Sequence, residues 1–394
     1  EFRLRPLRYA RTEPKASVPD PEDRKIPLVY DDQHRIHHVR ERGYVEAPAR
    51  VPAILEELGK TSLFERVAPR TFPERHIREV HDGGLVDFIK RACAEAPVNK
   101  SIYPYVFPLR NQARRPSDRS VLAGYWCIDT FTPLNRNAWP AARRAVDCTL
   151  TAAQLVAEGA PLAYALVRPP GHHAERSAFG GFCYFNNAAV AAHYLSRYGR
   201  VAVLDIDYHH GNGSQDIFYQ RADVLTVSIH GHPSFAYPYF TGFRDETGLA
   251  AGAGFNLNIP LPETISPDDH RAAVARALKR IARHDPVYLV LAVGFDTGKG
   301  DPTGTWANKT ADFSQLGQMI AAAPYPTVVV QEGGYRVRTL GTNARHFFQG
   351  MARGLAERRR PKRGAPATRR DGAGKLLWRT AVTEADRARV HQLV

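Results

Sequence analysis

The segment Val201–Gly213 (VAVLDIDYHHGNG) constrains the fold of this chain most strongly, because an apolar run changes abruptly into carboxylates, imidazoles and glycines. Its β-favouring residues are typical of a strand buried on both faces of a parallel sheet. Asp205, Asp207 and His209 occur at i, i+2 and i+4, so extended backbone points all three the same way. Buried carboxylates on one face repel each other unless a cation compensates. We therefore predict a metal site at the end of this strand, in preference to charges that simply face solvent.

The chain alternates short apolar runs with segments of helical periodicity. The apolar runs predict strands at Ile26–Tyr30, Ala163–Val167, Val201–Ile206, Val224–Ile229, Phe255–Ile259, Val287–Val293 and Thr327–Val330. The periodic segments predict helices at Arg50–Leu58, Gly84–Ala94, Pro140–Ala157, Asn187–Tyr198, Pro267–Arg283, Ala311–Ala323 and Leu340–Gly354. This alternation predicts an α/β fold, a single three-layer domain with a parallel β-sheet and helices on both faces. Ligand sites in such folds lie at the carboxyl ends of the strands.

Polar residues flanked by glycine or proline follow four of the predicted strands. They are RPPGHH (Arg168–His173), DYHHGNG (Asp207–Gly213), GFD (Gly294–Asp296) and QEGGY (Gln331–Tyr335). Because the carboxyl ends of parallel strands meet at one edge of a sheet, we expect all four clusters to form one site.

The residue types in these clusters indicate hydrolysis of an amide or ester. Asp207, His209 and Asp296 would give a catalytic metal three protein ligands and leave one position open for water, which the metal activates. The neighbouring His172 and His173 supply a general base and acid. A hydroxyl donor for the developing oxyanion is available from Tyr335, which the flexible Gly333 and Gly334 help to place.

The composition is that of a globular protein, with 43% hydrophobic and 24% charged residues in 394. No apolar run approaches the ~20 residues of a membrane span, so we expect no membrane association. The four cysteines, at 93, 127, 148 and 183, lack the spacing of a disulfide scaffold, and we expect reduced thiols in a cytoplasmic protein.

The net charge of +14 is concentrated near the C-terminus, where residues 351–394 contain 12 Lys and Arg against 4 Asp and Glu. We interpret 356–394 as a basic tail that is solvated rather than a nucleic-acid arm. We assign 1–25 to an N-terminal extension and 26–355 to the catalytic domain. Within it, the aromatic, irregular stretch 96–139 is predicted to be an insertion that forms a subunit interface, a pocket rim, or both. We expect His34, His37 and His38 to be surface or rim histidines.

The motifs also resemble a known family, the zinc-dependent histone deacetylase and acetylpolyamine amidohydrolase superfamily. The matching stretches, within residues 27–354, are RPPGHH (168–173), GGFCYFNNAAVAA (180–192), LDIDYHHGNG (204–213), SIH (228–230), GFD (294–296) and EGGY (332–335). The resemblance implies an arginase/deacetylase-like fold with Zn²⁺, or alternatively Fe²⁺, on Asp207, His209 and Asp296. It implies His173 as general base and acid, His172 as its electrostatic partner, and Tyr335 as the group that polarises the acetyl carbonyl.

The resemblance also implies a structural K⁺ and a narrow substrate channel. The potassium residues would be Asp205, Asp207, His209, Ser228 and Ile229. The channel would be lined by Phe182, opposite either Phe235 or Tyr237, together with Gly181 and Gly333. Some family members carry Asp in place of Asn212; the amide removes a charge that would raise the pKa of His173, and we expect this to shift activity without abolishing it.

The insertion and the segment HPSFAYPYFTGF (232–243) resemble bacterial acetylpolyamine amidohydrolases more than histone deacetylases. This implies a homodimer with a constricted entrance that removes acetyl groups from substrates such as N-acetylputrescine and acetylspermidine. Glu41, Glu46 and Asp129 are candidates to meet the substrate's ammonium groups, whereas Thr303 stands where a eukaryotic relative has a gatekeeping Glu. The alternatives are a protein acetyl-lysine deacetylase, an arginase-like binuclear manganese hydrolase, for which GFDTG lacks the second Asp, and a non-catalytic binding protein.

Overall fold

The computed structural model describes residues 25–41, 43–107 and 115–359, which form one twisted parallel sheet covered by helices. The strands are β1 Ile26–Val29, β2 Phe64–Val67, β3 Leu162–Ala165, β4 Val201–Asp205, β5 Val224–Gly231, β6 Asn256–Leu261, β7 Tyr288–Val293 and β8 Thr327–Gln331. Their order in the sheet is β2-β1-β3-β8-β7-β4-β5-β6, and every neighbouring pair is parallel. Nearly all of the N-terminal extension and of the basic tail lies outside the described residues.

Ten α-helices occur in the described part of the chain. They are α1 Arg50–Leu58, α2 Arg75–Arg78, α3 Gly83–Glu95, α4 Arg119–Trp126, α5 Ala138–Ala157, α6 Asn187–Leu195, α7 Asn212–Phe218, α8 Pro267–His284, α9 Thr310–Ala321 and α10 Val337–Arg359. Short 3-10 helices occupy Asp32–Ile36, Ser196–Tyr198 and Ala250–Gly252. None of the helices described here is both long and apolar enough to cross a membrane.

The central strands are apolar because both of their faces are covered. Along β4, Val201 and Val203 pack into one hydrophobic core, while Ala202 and Leu204 pack into a second core on the opposite face. Side chains alternate between the faces of a strand, so a run such as VAVL supplies two cores at once. Helices α3, α5 and α6 contribute to the first core, and α1, α8, α9 and α10 to the second. The predicted α/β fold, with a parallel sheet and helices on both faces, is confirmed.

Most predicted elements agree with the structure to within a few residues, and four elements were missed, namely β2, α2, α4 and α7. The strand β2 is at the edge of the sheet, and its sequence FERV carries two charges and has no buried residue, so it lacks the apolar pattern of the central strands. Helix α7 begins within the polar segment NGSQDIF, which resembles a loop. The prediction that 96–139 is irregular throughout was wrong, because α4 forms there behind the N-cap of Asp118.

The four strands that precede the polar clusters are neighbours in the sheet, in the order β3-β8-β7-β4. In sequence they are separated by up to about half the chain, yet their carboxyl ends lie side by side. The fold therefore brings all four clusters to one edge, as the parallel arrangement requires.

Candidate metal centre and active site

Asp207, His209 and Asp296 meet at this edge with their ligand atoms all within 4.8 Å of one another. His209 Nδ1 lies 3.1 Å from Asp207 Oδ1 and 3.2 Å from Asp296 Oδ2, and both carboxylates are fully buried. A Cβ on Gly294 would stand 2.0 Å from Asp207 Oδ2, and one on Gly333 would stand 2.3 Å from Asp296 Oδ2. At Gly294 and Gly333 the backbone itself therefore lies against the two carboxylates, and a side chain would not fit there. Two carboxylates and one imidazole in such a cradle fit a divalent cation such as Zn²⁺.

Main-chain donors fix the orientation of both carboxylates. Asp207 Oδ1 accepts from the N–H of His209 at 2.9 Å, and Asp207 Oδ2 accepts from the N–H of Gly333 at 2.8 Å. Asp296 Oδ1 accepts from the N–H of Tyr208 at 3.0 Å. Burial and the neighbouring charge of Asp207 raise the pKa of Asp296 above its ordinary range. A bound cation would relieve this repulsion, which is the reason to expect one between the two carboxylates.

The adjacent His172 and His173 have contrasting partners. His172 Nδ1 lies 2.9 Å from the carboxylate of Asp205, whereas His173 Nδ1 lies 2.7 Å from the amide oxygen of Asn212. Burial lowers the pKa of His172, but the charges of Asp205 and Asp207 outweigh it and raise that pKa to about 10. Burial and the charge of His172 lower the pKa of His173 well below its usual range. The environment therefore keeps one imidazole charged and the other neutral.

Tyr335 stands on the loop after β8, with only 9% of its surface exposed. Its ring lies edge-on to Phe182 at 5.6 Å, and its N–H donates to Asp301 Oδ2 at 2.7 Å. The preceding Gly334 has φ of +108°, a conformation that favours glycine. The loop thus presents a buried phenol whose pKa is raised by burial and by the nearby charges of Asp207 and Asp296.

Arg50 supports this loop and was not predicted as a site residue. Its Nε donates to the carbonyl of Gly334 at 2.7 Å, a second nitrogen donates to the carbonyl of Glu332 at 2.5 Å, and its guanidinium lies 4.7 Å from the ring centre of Tyr335. In the sequence, Arg50 is only the first residue of a predicted helix. No local signal indicates that it reaches a loop 284 residues away.

The prediction that Glu46 faces the substrate was wrong, because this side chain is fully buried. Its Oε1 accepts from Arg50 at 3.1 Å and from Arg168 at 2.7 Å. Arg168 also donates to the carbonyls of His34 and His37, which are themselves buried. The prediction that His34, His37 and His38 are surface or rim histidines was therefore wrong for the two buried ones, whereas His38 is exposed.

The aromatic side chains near the metal ligands form two walls. Phe182 contacts Tyr335, and Tyr237 contacts His173 with ring centres 4.7 Å apart. Phe131 lies between the walls, 5.4 Å from Phe182 and 5.5 Å from Tyr237. Of the two alternatives opposite Phe182, the structure favours Tyr237, because Phe235 packs against the second hydrophobic core.

Asp129 joins the two walls instead of facing the solvent. Its Oδ2 accepts from the N–H of Gly181 at 2.5 Å and from the hydroxyl of Tyr237 at 3.0 Å. Gly181 and Phe182 both have positive φ, so this carboxylate braces a turn that is strained at Phe182. Glu41 is the exposed member of the three acidic candidates, and it accepts a hydrogen bond from Tyr103 in the insertion.

Of the residues expected to hold K⁺, Asp207 and His209 belong to the candidate metal cluster itself, Asp205 ends β4, and Ser228 and Ile229 lie within β5. Asp205 and Ser228 are partners in the parallel register of these strands, and Ile229 is fully buried. Asp205 Oδ1 accepts from the N–H of Asp207 at 3.0 Å. Ser228 Oγ lies 3.0 Å from His210 Nδ1 and 2.8 Å from His230 Nδ1. The structure brings the oxygen-rich residues of this group together.

A parallel α/β fold in which carboxylates and an imidazole that could hold a metal ion lie near two adjacent buried histidines and a buried tyrosine is typical of metal-dependent hydrolases. Residues 44–351 match the histone deacetylase domain, so this chain belongs to the histone deacetylase family. The family resemblance inferred from the sequence motifs is thereby confirmed.

The similarity to known relatives extends over nearly the whole domain. The chain is 42% identical to the acetylpolyamine amidohydrolase of Burkholderia pseudomallei, over 80% of this chain and 96% of that protein. The crystal structure of acetylpolyamine aminohydrolase from Burkholderia pseudomallei superimposes with a TM-score of 0.79 at 39% identity, covering 83% of this chain and 99% of that one. The crystal structure of the HDA15 HD domain superimposes with a TM-score of 0.71 at 27% identity, covering 85% and 93%.

Proposed function

We propose that this protein is a zinc-dependent amidohydrolase that removes acetyl groups from acetylated polyamines such as N-acetylputrescine and acetylspermidine. The observation that carries the proposal is the convergence of Asp207, His209 and Asp296 beside a neutral His173. The extensive similarity to the acetylpolyamine amidohydrolase of Burkholderia pseudomallei supports the substrate class.

The protein's own residues would divide the work of amide hydrolysis. A Zn²⁺ held by the three ligands would supply a Lewis acid and acidify water at neutral pH. His173, neutral because it is buried beside the charged His172, would accept the proton of the attacking water at Nε2. The hydroxyl of Tyr335 would donate to the oxyanion as it develops. His173 would then return the proton to the leaving amine, so that acetate and a free amine are released.

The two aromatic walls suit a slender acetylated amine. Phe182 and Tyr237 would pack against the methylene groups of the substrate, and the braced turn at Gly181 would limit the width between them. Glu41 would meet a distal ammonium group: its carbonyl accepts from the N–H of Tyr44, whose ring lies 5.1 Å from Phe182. This places an exposed carboxylate near the rim of the aromatic walls.

We also propose a structural K⁺ at Asp205 and Ser228, a homodimer, a cytoplasmic location and no nucleic-acid partner. The insertion supports the dimer, because Tyr105 is 84% exposed and Val106 is 45% exposed. The cytoplasmic assignment rests on the four cysteines, which are all free. Light scattering of Tyr105→Asp should show a smaller species than the unmodified protein.

The substrate class can be tested by measuring kcat/KM of the Zn²⁺-loaded protein for acetylputrescine, acetylspermidine and an acetyl-lysine peptide. We expect the acetylated polyamines to be preferred. A preference of tenfold or more for the peptide would overturn the assignment and favour a protein acetyl-lysine deacetylase, the alternative consistent with the domain family.

The metal can be tested separately. Removal with a chelator should abolish turnover, and Zn²⁺ or Fe²⁺ should be added back in parallel. Asp296→Asn should leave less than one metal per chain after dialysis, because it weakens one of three ligands. Asp216→Asn, which changes a carboxylate outside the metal ligands, should retain full metal content in the same assay.

A further inference from the structure

The amide of Asn212 is held from both sides by charged or ionisable groups. His173 Nδ1 lies 2.7 Å from its oxygen, and its nitrogen donates to Glu175 Oε1 at 2.7 Å. The same nitrogen lies 3.3 Å from the carbonyl oxygen of His173. Asn212 is only 1% exposed, so water does not compete for its amide. The three side chains form a continuous row of carboxylate, amide and imidazole.

Two acceptors set the direction of this row: the Glu175 carboxylate at 2.7 Å and, over a longer contact of 3.3 Å, the carbonyl of His173. An ionised carboxylate only accepts hydrogen bonds, so the NH₂ group of Asn212 must face Glu175 and its oxygen must face His173. An amide oxygen also only accepts, so Nδ1 of His173 must carry a hydrogen. A neutral imidazole carries one hydrogen, which leaves Nε2 of His173 as a proton acceptor. This is the tautomer that a general base needs.

We propose that Glu175 is a positioning residue for His173: through the amide of Asn212 its carboxylate fixes the tautomer in which His173 accepts a proton at Nε2. The inference rests on the proposed function only where it takes His173 as the base. Nothing in the sequence motif marks Glu175 for this role, since it stands two residues after the histidine pair on an irregular segment.

The segment around Glu175 is itself well anchored. The N–H of Glu175 donates to the carbonyl of Ala178 at 2.8 Å, and His81 Nδ1 lies 2.8 Å from the carbonyl of Glu175. The adjacent Arg176 donates its N–H to Asp216 Oδ2 on α7 at 2.8 Å. These three main-chain contacts fix the backbone from which the Glu175 side chain reaches Asn212.

Glu175 also titrates near neutral pH. Burial raises its pKa, the hydrogen bond from Asn212 lowers it, the nearby charge of Asp216 raises it, and the result is about 7. Apart from Asp216, the groups around it are His81, which contacts its carbonyl, and Arg176, which is next in sequence. A protonated Glu175 can donate to the oxygen of Asn212. The amide can then turn over, so that it donates to Nδ1 of His173 and favours the wrong tautomer.

The tautomer can be read directly, without turnover, from the ring ¹⁵N shifts of His173 in the full-length, Zn²⁺-loaded, ¹⁵N-histidine-labelled protein at pH 8. The resonance is assigned by its loss in His173→Phe. We expect hydrogen on Nδ1 in the unmodified protein and a mixture of both tautomers in Glu175→Ala. Glu158→Gln, which changes an exposed carboxylate paired with Arg70 and without contact to this row, should resemble the unmodified protein. An unchanged tautomer in Glu175→Ala would overturn the proposal.

Kinetics provide the second test. With acetylputrescine at pH 8, Glu175→Ala should lower kcat about tenfold through loss of one orienting hydrogen bond, while KM stays within about twofold. Glu175→Gln can donate to the oxygen of Asn212 as a protonated Glu175 can, so it should show the lowered kcat at every pH and lose the decline of activity that accompanies protonation of Glu175 near pH 7. An unmodified protein inactive on every acetylated amine would contradict the proposed function, and the ¹⁵N shifts would still test Glu175. An active protein whose Glu175→Ala variant keeps the original kcat and pH profile would refute the positioning role alone.

Discussion

The rings of His172 and His173 lie with their centres 4.0 Å apart but bind partners of different charge. His172 pairs with the carboxylate of Asp205 at 2.9 Å, and His173 pairs with the amide of Asn212 at 2.7 Å. Two adjacent and chemically identical side chains are thereby given opposite protonation states. The charged His172 thus keeps its neighbour His173 neutral, and a neutral imidazole can accept a proton.

Exchanging the amide for a carboxylate should alter the pH dependence of the reaction. In the double variant Asn212→Asp with Glu175→Gln, a carboxylate faces Nδ1 of His173 and the new Gln amide faces that carboxylate. The charge should raise the pKa of His173, which burial and His172 otherwise lower. Because the base acts in its neutral form, the acidic limb of kcat/KM should move to higher pH. The measurement is a pH profile against acetylputrescine.

The control for this prediction is Asn212→Ala, which removes the amide without adding a charge. It should lower the rate, and its acidic limb should not move upward. An acidic limb of the double variant that stays in place, or that moves to lower pH, would show that the titration of His173 does not control the rate.

Tyr335→Phe should separate the oxyanion donor from the rest of the site. The ring should keep its contacts with Phe182 and the guanidinium of Arg50, and only the hydroxyl is lost. We expect kcat to fall about 10²- to 10³-fold, as for loss of other oxyanion donors, with unchanged metal content. Tyr208→Phe is the matched control, because its hydroxyl contacts Thr305 at 2.9 Å and should alter kcat only slightly. Equal losses in both variants would contradict the role of Tyr335.

The parts of the site that follow strand ends could be predicted from the sequence, because a parallel sheet brings those ends together whatever their separation in the chain. Asp207 and Asp296 illustrate this: β4 and β7 are direct neighbours, although 88 residues separate the Tyr208 N–H from the Asp296 carboxylate that it contacts. The hydrophobic pattern predicts where the strands lie, and the ends of the strands predict which polar residues lie together at the site. The same logic explains why the family motifs and the residue chemistry indicated the same positions.

The supporting contacts could not be predicted, because they join loops whose course depends on the folded structure. Glu46 resembles any other loop carboxylate in the sequence, yet it is buried between Arg50 and Arg168, which are four and 122 residues away. No periodicity in the sequence indicates that Glu46 pairs with these two arginines. Asp129 likewise lies in a stretch without a regular pattern, and only the structure shows which main-chain groups it holds.

Asp129→Ala should loosen both walls of the channel. The variant removes acceptors from Gly181, Thr132 and Tyr237 at once, and it releases a turn in which Phe182 has φ of +67°. We expect KM for acetylputrescine to rise about tenfold with a smaller change in kcat, since the metal ligands are not touched. The ratio of kcat/KM between acetylputrescine and an acetyl-lysine peptide should move toward the bulkier peptide.

Tyr237→Phe is the matched control for the channel, because it removes only one of the donors to Asp129 and keeps the ring beside His173. It should raise KM less than Asp129→Ala. A selectivity ratio unchanged in Asp129→Ala would mean that this carboxylate stabilises the fold without setting the channel width.

Glu46→Ala should destabilise the protein strongly, because it leaves the guanidinium groups of Arg50 and Arg168 buried without their shared carboxylate. Breaking a buried ion pair by removing one partner typically costs about 3 to 5 kcal/mol in the free energy of unfolding, measurable by urea titration. The exposed pair of Arg70 and Glu158 provides the control, and Glu158→Ala should cost at most about 1 kcal/mol.

Burial raises the pKa of Glu46, but the two arginines outweigh it and leave that pKa below its ordinary value. The stabilisation should therefore be complete above the ordinary pKa of a glutamate and disappear as the pH falls through the lowered one, so the difference between the unmodified protein and Glu46→Ala should shrink in acid. A difference that does not change with pH would show that charge plays no part in the contribution of Glu46.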